Sequence, residues 1–258
     1  MTTRRARCRR RLAAAIVLAL VAAGCGGPGD DDRTVLRVSA AASLTDAMAD
    51  IEQYYEESVA TDVDLQVNLA GSATIRAQLL EGAPADVVIT ANPAIMDDLA
   101  AAGIVSEPPT TVATNHLVLA VPGDNPAVIT ELSDLTDPEL FVGLCARGVP
   151  CGDLADEALA AAGLEITADT REPDVRSLLA KVGTGELDAG LVYLTDIVGT
   201  SGADVVGIDL PPELVTTTSY PIAVVASSPN LRRATQFIEV LTDGVGRTIL
   251  TEHGFGAP

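Results

Sequence analysis

Short aliphatic runs alternate along this chain with stretches of helical period, and that alternation constrains the fold more than any other feature. VLRVSA (35–40) reads as a buried strand, and Leu44, Ala47, Met48, Ile51 and Tyr55 then fall on one helical face. VDLQVNLA (63–70) alternates with period two, Ser72 opens a helix through Ile75 and Leu79, and DVVITA (86–91) is a third strand. A helix with Ile95, Met96 and Leu99 follows and stops at Gly103. Farther on come strands at 117–122, 140–145, 188–193 and 221–226. Helical stripes separate them: Leu154, Ala158 and Leu159; Val175, Leu178, Leu179 and Val182 after Pro173; and Leu231, Ala234, Ile238 and Leu241 at the end. Strand–helix units repeated this way predict an α/β fold built on parallel sheet covered on both faces. Two α/β lobes joined by crossover strands near 117–121 and 220–226 fit best, with residues 34–121 and 219–258 in one lobe and 122–218 in the other. A single doubly wound domain is the alternative.

The first 33 residues stand outside that pattern. Six arginines (Arg4, Arg5, Arg7, Arg9, Arg10, Arg11) precede the apolar run LAAAIVLALVAAG (12–24). A basic start, a short apolar core and a small-residue exit describe an export signal over 1–24, too short for a comfortable membrane span. VAAGC resembles a lipoprotein signal-peptidase box, with Ala22 where leucine is commonest, and makes Cys25 the expected lipidation site. A plain secreted protein is the alternative. The Gly- and Asp-rich stretch 26–34 cannot pack, so 25–33 reads as a lipidated tether to the outer face of the cell membrane.

The leader holds six of the 16 basic residues and none of the 36 acidic ones, which leaves a mature charge of −26. A surface this acidic argues against nucleic acid and against adsorption to anionic membranes. It also means that an anion site here must work through local, desolvated donors. Of the four cysteines, Cys8 leaves with the leader and Cys25 belongs to the lipobox. Cys145 and Cys151 lie six apart in an exported chain, so a local disulfide is the natural reading and two free thiols the alternative.

Chemistry in such a fold belongs beyond the carboxyl ends of the strands, where helix N-termini offer unpaired N–H groups to anions. The four relevant exits read SAAASLTD, LAGSATIR, GVPCGDLA and LVYLTD. Three are built of small residues, hydroxyls and glycine, which let a backbone approach a ligand closely. Ser43 and Ser72 stand at helix starts, where an ordinary N-cap is the common role, and Tyr193 at a strand end is as readily a packing residue. Cys151 and Val175 offer an oxyanion no useful side chain.

From Leu36 almost to its end, the chain resembles the molybdate-binding proteins of ABC importers. The resemblance rests on AASLTDAM (41–48), NLAGSATIRAQLLEGAPADVVITA (68–91), PCGDLADEAL, EPDVRSLLAKVGTGELDAGLVY and YPIAVVASS. It implies a two-lobed type II periplasmic-binding fold with an oxyanion, molybdate or tungstate, clamped in the cleft between lobes. By motif it implies hydroxyl donors at Ser43, Ser72 and Tyr193, and backbone N–H donors at Cys151, Val175 and the two serines. It implies an ABC permease with its ATPase subunits as partners, a monomer, no cofactor, and molybdenum met only as the oxyanion without direct protein ligands. A fully deprotonated tetrahedral dianion offers only acceptors, so a set of hydroxyls and amides without a carboxylate suits it.

The rival readings are a protein of the same fold for sulfate, phosphate, an organic acid or ferric iron, an enzyme, and a sensor domain. The Tyr54–Tyr55 pair resembles tyrosine ligation of iron, but it lies late on an amphipathic helix with Tyr55 on the core stripe, so core packing is the reading. For an enzyme the sequence offers only His116 and His253, with no nucleophile elbow, phosphate loop or H-E-x-x-H. No DNA-binding or kinase segment accompanies the domain. Not an enzyme is the expectation.

Overall fold

The computed structural model describes residues 33–106, 108–199 and 204–258, so the leader, Cys25 and most of the tether lie outside the described residues. Nine strands run in chain order: β1 Thr34–Ala41, β2 Val63–Ala70, β3 Val87–Ile89, β4 Thr110–Pro122, β5 Val142–Cys145, β6 Thr170–Glu172, β7 Ala189–Tyr193, β8 Val205–Ile208 and β9 Thr217–Val224. The helices are α1 Thr45–Tyr54, α2 Ser72–Leu80, α3 Pro93–Ala101, α4 Pro150–Ala162, α5 Val175–Gly183, α6 Leu194–Val198, α7 Leu231–Asp243 and α8 Val245–Glu252.

The strand order is β2-β1-β3-β9-β4-β7-β5-β6, with β8 also on β4. The fold is the expected two-lobed α/β arrangement, but the sheet is mixed rather than parallel. β1 pairs in parallel with β2 and β3, and β5 with β6 and β7, whereas β9 and β4 run antiparallel to every neighbour. Each lobe keeps its own parallel strand–helix units, and the chain passes between lobes on antiparallel strands. The crossover strand β4 begins well before the expected residue 117. Its Thr-rich first half is not apolar enough to read as strand, yet Thr110–His116 pairs with β9 while Leu117–Pro122 pairs with β7 and β8. The short strands β6 and β8 and the last helix, α8, were not expected either.

The strand periodicity explains the cores. In β3, Val87 and Ile89 point into the cluster that holds Met48, Ile51, Tyr55 and Phe237, while Val88 points into one with Ile75, Met96 and Leu99. That short strand is covered on both faces, as a parallel sheet flanked by helices requires. β4 gives Val112 and Ala113 to the first cluster and 117–121 to the core of the other lobe, beside Leu144, Leu178 and Leu191. Local signals bound the helices. Asn92 Oδ1 caps α3 by accepting from Ile95 N at 3.1 Å, with Pro93 at the first helical position. Gly163, at φ 68°, ends α4 in the left-handed region that glycine adopts without strain. Among the described residues, no helix is long and apolar enough to cross a membrane.

Candidate functional site

Five strand exits deliver the candidate residues to one place. β1 runs into a short 3-10 turn, Ala42–Leu44, that carries Ser43; β2 runs through Gly71 into Ser72, the first residue of α2. From the other lobe come Cys151 in the first turn of α4, Val175 at the start of α5 and Tyr193 at the end of β7. Ser43, Ser72, Cys151, Val175 and Tyr193 all line one cavity. The space open to the centre of a water-sized sphere is about 20 Å³, the scale of one or two water sites. A small ion fits such a space, and a sugar or nucleotide does not.

The two serines are not N-caps. Neither makes a side-chain cap bond at its helix start. Ser43 Oγ lies 2.7 Å from the Tyr220 hydroxyl of β9, and Ser72 Oγ accepts from Ala91 N at 2.9 Å. Their partners come from elsewhere in the fold, which is why the local sequence suggested the commoner role. Tyr193 differs: it is buried, and its hydroxyl has no hydrogen-bond partner among the described residues. A buried O–H left unpaired costs on the order of 1–3 kcal/mol, and here it lines the cavity. Burial, reinforced by Tyr220, Asp196 and Asp153, holds its pKa well above the usual tyrosine value. The phenol therefore keeps its proton and serves as a donor.

Backbone geometry supplies further donors. Residues in the first turn of a helix have N–H groups without an intrahelical acceptor, and the positive ends of α2, α4 and α5 meet at this cavity. Close approach depends on two glycines. A Cβ on Gly152 would lie 2.1 Å from Ala146 O, so only glycine lets α4 start against the exit of β5. A Cβ on Gly71 would come within 2.7 Å of Pro173 O, across the cleft in the other lobe. Cys145 and Cys151 form a disulfide, with Cα atoms 5.7 Å apart, that ties the end of β5 to the first turn of α4.

One carboxylate borders the cavity, and sequence reading had overlooked it. Asp174 precedes α5, and its side chain is occupied as the helix cap: Oδ1 accepts from Ser177 N at 2.9 Å and Oδ2 from Ser177 Oγ at 3.1 Å. The pattern D-x-x-S before an apolar stripe was the available signal. Behind Tyr193, the fully buried Asp196 accepts from Tyr193 N at 3.1 Å. Burial lifts its pKa to about 7, against the opposing pull of Arg176, whose Nη1 stands 3.5 Å from Oδ1. Arg176 also reaches across the cleft, Nη2 to Asp46 Oδ2 at 2.6 Å, so one guanidinium joins α5 and α6 to α1 of the opposite lobe.

The residues of the rival readings lie elsewhere. Tyr55 is buried edge-on against Phe237 and donates to Arg233 O at 3.3 Å, a packing role. His253 pairs with Asp50 on the surface, and His116 sits in β4 outside the cavity lining. No group of three or more His, Cys, Asp or Glu side chains suited to a metal ion occurs among the described residues.

Comparison with known proteins identifies the family. Residues 36–256 match the family of bacterial extracellular solute-binding proteins. The chain is 35% identical over 254 residues to the molybdate-binding protein ModA of Mycobacterium tuberculosis, an alignment that spans 96% of each chain. The periplasmic molybdate-binding protein of Azotobacter vinelandii superposes with a TM-score of 0.76 at 17% identity, covering 86% of this chain and 99% of that one. The sulfate-binding protein SubI of M. tuberculosis superposes equally well, with a TM-score of 0.76 at 18% identity and 86% of each chain covered. The fold is thus shared by binders of different oxyanions, and architecture alone does not choose between them.

Proposed function

The chain belongs to the bacterial extracellular solute-binding protein family, and from that premise we propose that it captures molybdate or tungstate outside the cell membrane and delivers it to an ABC permease. The observation that carries the proposal is the cavity itself: three hydroxyls and a set of helix-start amides around a space for one small ion, with its single bordering carboxylate engaged as a helix cap. Hydroxyls and N–H groups that face inward are complementary to a fully deprotonated tetrahedral oxyanion, which has only acceptors to offer. In this reading Ser43, Ser72 and Tyr193 donate through side chains and Cys151 and Val175 through the backbone. The disulfide at Cys151 stiffens one wall. No residue has a catalytic role.

The lobes of this proposal are 34–121 with 219–258, and 122–218, which the ligand draws together. Residues 1–24 are an export signal and Cys25 carries lipid, so that the tether 25–33 holds the monomeric binding protein beside its permease and ATPase subunits. The basic, apolar and small-residue order of the leader supports this. The 35% identity to a molybdate-binding protein favours molybdate over sulfate within a fold that serves both.

A thermal-shift series on the protein lacking residues 1–24 tests the assignment. Molybdate and tungstate raise the melting temperature, by mass action on the folded state, while sulfate and phosphate at equal concentration do little. A phosphate shift as large as the molybdate shift would overturn it.

A further inference from the structure

Behind Ser43 runs a chain of buried hydrogen bonds that never touches the cavity. Asn115 of β4 donates from Nδ2 to Thr195 Oγ1 at 2.8 Å and to the Tyr220 hydroxyl at 3.3 Å. Its Oδ1 accepts from His116 N at 3.0 Å, which fixes the orientation of the amide. Tyr220 stands 2.7 Å from Ser43 Oγ. Asn115 and Tyr220 are both buried, and neither lines the cavity.

Counting donors gives this chain a direction. The Asn115 amide donates to Tyr220, so the phenol oxygen is an acceptor there. Its one proton must go elsewhere, and Ser43 Oγ is its acceptor among the described residues. A buried phenol proton left unspent would be costly. Burial, the largest influence, holds the pKa of Tyr220 far above the usual tyrosine range, so that proton is always present. With its oxygen accepting from Tyr220, Ser43 is left to donate its own proton toward the cavity. Ser72 reaches the same state by another route, since its oxygen accepts from the Ala91 amide.

We infer that Tyr220 and Asn115 are positioning residues for specificity: they orient the Ser43 hydroxyl as a donor, so the site selects oxyanions that carry no proton over those that do. The inference rests on the proposed oxyanion site and deepens it. A proton-bearing ion such as hydrogen phosphate must find an acceptor in the cavity. The Tyr220–Ser43 bond takes up one of the serine's two lone pairs and turns its proton into the cavity, where it would face the proton of such an ion. Specificity against protonated ions then comes from a residue that the ligand never meets, a repulsive element built into the wall.

The test compares Tyr220→Phe with Phe255→Leu by calorimetric titration. Phe255 packs edge-on against Tyr220 at 5.2 Å, so its truncation loosens the same ring without removing a proton. Wild type is first titrated with molybdate and with sulfate, and the tighter of these unprotonated dianions is the probe. A preference for sulfate would count against the proposed function while leaving the present inference testable. Inorganic phosphate, singly protonated at mildly basic pH, is measured by displacement. Tyr220→Phe is expected to weaken the dianion about tenfold, because the Ser43 hydroxyl is no longer held as a donor to the charged ligand. Phosphate should weaken less or tighten, so that the ratio of the two affinities falls. Asn115→Leu moves the ratio the same way by a smaller factor, and Phe255→Leu weakens both ions alike and leaves it unchanged. Wild-type affinities in Tyr220→Phe, or an equal loss for both ions like that in Phe255→Leu, would overturn the inference.

Discussion

The two walls of the cavity achieve the same chemistry by opposite means. On the wall built from β1 and β2, both serine oxygens already have a hydrogen-bond partner in the protein, Ser43 the Tyr220 hydroxyl and Ser72 the Ala91 amide. On the wall built from β5, β6 and β7, the Tyr193 hydroxyl is buried with no partner among the described residues. On the first wall the serine oxygens are engaged before a ligand arrives and help to hold the fold together, while their protons stay turned to the cavity. The second keeps an unmet donor, whose cost is recovered only when a ligand oxygen reaches it. Under the proposed function, binding and closure are expected to be one act, because the wall left incomplete gains most from bringing the lobes together.

That difference can be broken by mutation. The largest effects are expected at the first wall. Ser43→Ala and Ser72→Ala each remove a donor to a charged ligand and should weaken molybdate binding about 10- to 100-fold. Each also strands a buried partner, the Tyr220 hydroxyl or the Ala91 amide, so unliganded stability should fall by about 1–3 kcal/mol. Tyr193→Phe should weaken binding by about tenfold or more, yet leave unliganded stability unchanged or raised, since it deletes a polar atom that had no partner. Calorimetry and urea unfolding on all three variants measure both quantities. Should Tyr193→Phe destabilise the free protein as much as the serine variants do, the two walls would not differ as described.

A smaller effect is expected at the rim. Arg176 bridges Asp46 of one lobe and Asp196 of the other, with its side chain about a quarter exposed. Beside its contact with the fully buried Asp196, the partly exposed arm to Asp46 contributes little to overall stability, on the order of 1 kcal/mol or less. Its place across the cleft makes that increment act on closure. Arg176→Ala should leave the folded lobes intact, weaken binding a few-fold, and enlarge the radius of gyration of the unliganded protein in small-angle scattering. A radius unchanged from wild type would show that the bridge has no part in holding the lobes together.

Much of the fold was legible because its strands and helices obey simple periods. The expected strand 63–70 coincides with β2, whose alternation is clean, and the stripe Val175, Leu178, Leu179 and Val182 is the buried face of α5. The first half of β4 was not legible. Its threonines and Asn115 satisfy backbone pairing with β9, a partner about a hundred residues away that no local pattern reports. The site divides the same way. The five strand-exit residues stand in recognisable motifs and meet at one cavity. The serines looked like N-caps because that role is local, whereas their partners lie 177 and 19 residues distant. Tyr220 stands in one of the matching stretches but YPIAV reads as an ordinary buried strand, and nothing local marks Asn115.

A fully deprotonated oxyanion, held by donors alone, is proposed to occupy the cavity between the two walls. This placement is tested most directly by a crystal structure of the protein, lacking residues 1–24, grown with tungstate, because the metal's anomalous scattering locates the ion independently of the surrounding chain. The account predicts one strong anomalous peak in the cavity, with tungstate oxygens at hydrogen-bond distance from Ser43 Oγ, Ser72 Oγ, the Tyr193 hydroxyl and the Cys151 and Val175 amides, and with the Asp174 carboxylate still capping α5. A peak outside this cavity, or an ion there that contacts the Asp174 carboxylate in place of the Tyr193 hydroxyl, would contradict it.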